Sequence, residues 1–163
     1  MKQTENSKSL AWFKLAEFVQ RGEKERALGV YKLLALSLQD LAFACQLEGD
    51  ILLAFDDQSA KAKYLQAAEI YLAQHNYLAA LGTLNHLVLL EPTNSDYWHM
   101  LTELYLEHFL DKIYFHFKNM VNCQQIQYAQ ECIAITIQRY KQKELNHQLN
   151  VLLAQLRDLK LEV

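Results

Sequence analysis

The chain has 163 residues, 52% of them hydrophobic, and a formal net charge of −3. That length supports one domain with a substantial core and excludes two comfortable ones. Four glycines and one proline exclude a turn-rich β architecture and predict an all-α protein, because sheets need turn residues.

Residues 1–8 are polar, lack the apolar run of a signal peptide and are expected to form a disordered tail. A first helix is predicted from Ser9, as N-cap, to Gln20, with Trp12, Leu15, Ala16 and Val19 inward; Gly22 closes it. The second spans 24–37 with Ala27, Tyr31 and Leu34 on one face. The third spans 40–55, where Gly49 predicts a close helix crossing and Asp56-Asp57 ends the run. The fourth, 59–74, holds Ala60, Tyr64 and Ala67. The fifth, 76–91, is uncharged from Tyr77 to Leu90, which is too short to span a bilayer and reads as a buried helix. Asn94 or Ser95 caps the sixth, to His108, and the seventh covers 110–121 with Tyr114, Phe115 and Phe117 on one side. Beyond Asn122 the chain turns glutamine-rich. Ile126, Ala129, Ile133, Ile137 and Tyr140 keep a helical period, and Leu145, Leu149, Leu152, Leu156 and Leu159 follow in steps of four and three. This leucine set predicts either a helix capping the last hairpin or one that pairs with another chain.

The middle of the chain carries a repeat pattern. Ala80, Leu84 and Pro92 close one helical hairpin, and Trp98, Leu101 and Tyr105 open the next. Tyr64, Ala67, Ala68 and Tyr71 fill the opening half of the first, so 61–94 makes one unit of 34 residues. Ala60, Tyr64 and Ala67 also fit a closing half, but the opening phase is preferred because it places Pro92 and Trp98. In these residues the chain resembles the tetratricopeptide repeat family, well over 61–108, weakly over 9–36 and not beyond 122. The next closing positions carry Tyr114 and Lys118, so the pattern fails there. The resemblance implies antiparallel helical hairpins in a right-handed solenoid, with repeats over 9–122 and C-terminal capping or coiled-coil-like helices over 123–163. It also implies a protein-binding role, as adaptor, assembly factor or chaperone; in size and pI the chain is similar to bacterial type III secretion chaperones.

In that family the first helix of each pair lines a concave groove. Carried over, the groove residues are Leu65, Glu69, Leu72, Asp96, His99, Glu103, Leu106 and Glu107, with Phe13 and Glu17 as a weaker addition. The family's lysine and asparagine clamp on a partner's C-terminal carboxylate is absent, since acids stand there. From Tyr64 to Asp111 there is no Lys or Arg, against six acids, while both ends of the chain are mildly basic. A basic or amphipathic segment of a protein partner is therefore expected in the groove, and nucleic acid is disfavoured. The alternative is a self-associating structural protein, dimerising through the C-terminal leucine helix.

Enzyme activity is not expected: nucleotide-binding, nucleophile-elbow and zinc-protease motifs are all missing. Asp96-x-x-His99 and Glu144-x-x-His147 have helical ligand spacing but fall short of a di-iron carboxylate set, so no metal or other cofactor is expected. Cys45, Cys123 and Cys132 form no CxxC pair and predict free thiols in the cytoplasm, without a membrane partner.

Overall fold

The computed structural model describes residues 2–159, with side chains from Ser9 onward. The described residues are helical and contain no strand. Among the described residues nine α-helices follow one another: α1 Lys2–Gln20, α2 Lys24–Ala35, α3 Leu41–Ala54, α4 Ala60–Ala73, α5 Tyr77–Leu90, α6 Ser95–His108, α7 Ile113–Asn122, α8 Ile126–Gln142 and α9 Asn146–Leu156. None is long and apolar enough to cross a membrane. The chain divides between Thr83 and Leu84, inside α5, into two compact units. The sequence-based division fell instead at 122/123.

One turn chemistry recurs. Gly22, Asp56, His75, Gln124 and Glu144 all adopt positive φ, between 53° and 73°. At each, two backbone bonds close the preceding helix. The N–H of His75 donates to Leu72 O and that of Asn76 to Tyr71 O, and the same pair recurs at the other four. This is the Schellman arrangement, which satisfies orphan carbonyls and reverses the chain within a few residues.

In the first unit α1 packs on α2, α2 on α3 and α3 on α4. Helix α1 starts at Lys2, so Ser9 is not its cap and, from residue 2, the expected tail is helical backbone. Its inner face is Ala11, Leu15, Phe18 and Val19, which meet Ala27, Tyr31, Leu34 and Ile51. Trp12 and Ala16, expected inside, face outward. The most extensive pairing joins α3 and α4. A Cβ on Gly49 would meet the Tyr64 ring at 3.1 Å, tighter than ordinary contact, so glycine lets the helices approach this far without displacing the ring. Ala60, Tyr64 and Ala67 are buried in this unit; Tyr64 and Ala67 fit either repeat phase, and only Ala60 belongs to the closing one alone.

In the second unit α6 packs on α7 and α8, α7 on α8 and α9, and α8 on α9. Contact with the next helix and the next but one is what stacked antiparallel hairpins produce. Trp98 is fully buried and donates its indole N–H to the Pro92 carbonyl at 2.7 Å. A 3₁₀ turn, Leu110–Lys112, precedes α7. The buried positions of α7 are Ile113, His116, Phe117 and Met120; of the residues read onto its apolar side, Phe117 is buried, Tyr114 half-buried and Phe115 exposed. Leu149, Leu152 and Leu156 are buried inside this unit. Those leucines therefore cap their own unit, and Ile126, expected inside, is 49% exposed.

Candidate functional site

Leu65, Glu69 and Leu72 stand on α4 in the first unit; Asp96, His99, Glu103, Leu106 and Glu107 stand on α6 in the second. On α4 the inner face, Tyr64, Ala67, Ala68 and Tyr71, is committed to the core. The hydroxyl of Tyr64 donates to Asp50 at 2.6 Å, and that of Tyr71 to Gln46 at 3.2 Å. The face with Leu65, Glu69 and Leu72 remains: the leucines are half-buried and Glu69 is exposed. Glu69 makes no ion pair with any described residue.

Helix α6 begins at Asn94, whose side chain accepts from the Asp96 N–H at 3.1 Å, leaving the Asp96 carboxylate exposed in the first turn. One turn on, His99 Nδ1 lies 3.8 Å from the Cys132 thiol of α8. A further turn on, Glu103 takes a bidentate fork from Arg139 of α8, at 2.7 and 3.0 Å. The charge of Glu103 is thus taken up inside its own unit, contrary to the expectation of an acidic stripe without a cation. Both partners are partly exposed, so the pair adds at most about 1 kcal/mol to stability. Leu106, expected to line a groove, is buried, and Glu107 is exposed with His108 Nε2 at 3.8 Å. Of the expected acids, Glu69 on α4 and Asp96 on α6, each within its own unit, make no ion pair among the described residues. The weaker additions differ as well: Phe13 is 73% exposed, but Glu17 pairs with Arg21 at 2.7 Å.

Behind this face runs a buried polar chain that the sequence did not reveal. The Thr102 hydroxyl donates to the Trp98 carbonyl at 2.8 Å and lies 2.8 Å from His116 Nε2. A hydroxyl has one proton, so Nε2 carries the hydrogen and donates to Thr102. His116 Nδ1 is then a bare acceptor, buried without a partner. Burial holds the imidazole neutral, pushing its pKa down to about 3, between the rings of Trp98, Tyr105 and Phe117. Burial also pushes the Cys132 thiol up, with the neighbouring Thr102 hydroxyl opposing it. A protonated, buried thiol is a packing group and a poor nucleophile.

Arg139 and Cys132 lie 36 and 33 residues beyond their partners. That separation is close to the repeat length, the one signal that could have found them, had the pattern been carried past residue 122. Glu144 sits in a left-handed turn before α9, so Glu144 and His147 are not a helical pair. Among the described residues, no three His, Cys, Asp or Glu side chains gather as metal ligands. Cys45 and Cys132 are buried and Cys123 half-buried, all as free thiols.

No family model matches the chain, and no curated protein matches it. Among solved structures it is similar to the MamA RS-1 ArsTM double mutant, at 18% identity over 94% of each chain, with a TM-score of 0.34. A likeness of that size carries no weight for function, and the class stands on the packing: an all-α protein of sequential helical hairpins.

Proposed function

We propose that the protein is a protein-binding module, an adaptor, assembly factor or chaperone in the cytoplasm, that holds a basic or amphipathic segment of another protein without catalysis. The observation that carries this reading is a set of carboxylates that the fold leaves unused. Glu69 and Asp96 are exposed, form no ion pair among the described residues, and stand on helices whose inner faces are already filled. Leu65 and Leu72 flank Glu69 half-buried, so apolar contact and charge selection occur together on α4. Exposed Phe13, Leu33, Leu36 and Leu41 of the first unit supply further apolar area while its core closes without them.

The test is fluorescence anisotropy with an arginine-rich amphipathic peptide and a glutamate-rich counterpart. The wild type is expected to bind the first and not the second, with affinity falling as salt rises. Glu69→Lys with Asp96→Lys should weaken binding by about tenfold, mostly through the association rate, and flatten the salt dependence. Equal binding of both peptides, or an unaffected double variant at low salt, would overturn the reading.

A further inference from the structure

Within the second unit, the hairpin of α6 and α7 and the hairpin of α8 and α9 part at their turn ends, enclosing a cleft of about 730 Å³. The two turns differ in length. The α8–α9 turn is three residues in the Schellman arrangement, while α6 and α7 are joined through Phe109 and the 3₁₀ turn Leu110–Lys112. The floor is apolar: Leu106, Leu110, Ile113, Val151 and Leu152. Its lips carry opposite charge. Glu107 and Asp111 stand on the α6–α7 side, Lys143 on the α8–α9 side.

The geometry points to this cleft as a docking site for an amphipathic helix of a partner protein, with basic residues on one flank and acidic residues on the other. Two features select a helix. Gln148, Val151, Leu152 and Gln155 of α9 line the cleft at i, i+3, i+4 and i+7, the spacing by which one helix packs on another. Val151 is 46% exposed in the middle of this stripe, although the leucines behind it are buried. The opposed lips then ask for opposite charges on the two sides of an apolar stripe. The site rests on the reading that the protein binds proteins, and not on the acidic faces of α4 and α6.

The test uses helix-stabilised, fluorescein-labelled peptides of about four turns, with one leucine stripe and flanks that are mixed Arg and Glu, all Arg or all Glu. The wild type should bind the mixed peptide at least threefold more tightly than the all-Glu peptide. Val151→Asp, an exposed change that leaves the core intact, should weaken the mixed peptide at least tenfold. Lys143→Glu should move the preference to the all-Arg peptide. Glu69→Lys with Asp96→Lys should leave the mixed peptide's affinity unchanged. Mixed-peptide binding that ignores Val151→Asp, or that falls with the α4 and α6 variant instead, would overturn the cleft. So would Val151-dependent binding of dodecanoate without peptide binding, which assigns the cleft to a small amphiphile. A Val151-dependent dimer in light scattering without peptide would overturn it in favour of a second copy of the chain. Failure of the α4 and α6 variant to weaken the arginine-rich peptide sinks the earlier reading alone.

Discussion

The two units close their hairpins by different means. In the first, small residues do it: Gly49 lets the Tyr64 ring lie against the α3 backbone, and Ala60, Ala67 and Ala68 are essentially inaccessible. Tyrosine hydroxyls then tie neighbouring helices together. Tyr31 donates to the Ala44 carbonyl at 2.9 Å and Tyr64 to Asp50 at 2.6 Å. In the second unit large side chains fill the space, namely Trp98, Phe117, Met120 and Ile133, around the buried polar pairing of Thr102 with His116. Small residues bring helices close along their length, and bulky residues hold them further apart. Two ways of filling the space between hairpins thus occur within one all-α design.

The largest effect expected of a single change separates the bulky core from the rest. Trp98→Ala should cost roughly 3–5 kcal/mol in urea unfolding, since the indole is fully buried and its N–H is bonded. A loss below about 1 kcal/mol would mean that the second unit does not hang on this side chain.

The next effect is pH-dependent. The unfolded chain protonates His116 near pH 6.5, while the folded imidazole resists until about pH 3. Between those values the unfolded state binds the extra proton, so the contribution is complete above pH 6.5 and is lost on acidification. By pH 4 the loss should reach about 3 kcal/mol. His116→Phe should flatten this slope relative to the wild type. Parallel slopes from pH 7 to 4 would show that the imidazole is hydrated and the polar pairing open.

A smaller contrast probes the first unit. Gly29 and Gly49 are both helical, but a Cβ at Gly29 meets nothing within 4 Å. Gly29→Ala should stabilise by about 0.5–1 kcal/mol through helix propensity alone. Gly49→Ala gains the same term and loses more by pressing on Tyr64, whose hydroxyl is held by Asp50, for a net loss of about 1 kcal/mol. Equal effects in thermal unfolding would remove close approach as the means by which α3 and α4 pair.

Much of the helical order was legible because apolar periodicity and sparse breakers leave little choice. The bounds of α2 to α6 lie within two residues of those read from Gly22, the Asp pair, Pro92 and Asn94. The register of α7 was only partly legible. Phe117 was read onto its apolar side, but the 3₁₀ turn before the helix leaves no strong composition mark, and Ile113 and His116 are buried while Phe115 is exposed. The turns were only partly legible, because Asp56, His75, Gln124 and Glu144 take a left-handed conformation that only Gly22 advertises. Of the candidate site, Glu69 and Asp96 are exposed, whereas Arg139 on Glu103 could not be foreseen from local charge. The cation arrives from two helices further along, where the repeat pattern no longer showed.

The measurement that bears most directly on the binding role is hydrogen–deuterium exchange of the full chain with and without the arginine-rich amphipathic peptide. Binding through the carboxylates of α4 and α6 predicts slowed exchange in Ala60–Ala73 and Ser95–His108, the helices that carry Glu69 and Asp96. That slowing should disappear in the Glu69→Lys, Asp96→Lys variant. Saturating peptide that leaves both helices unchanged, or protects them equally in the variant, would contradict the account.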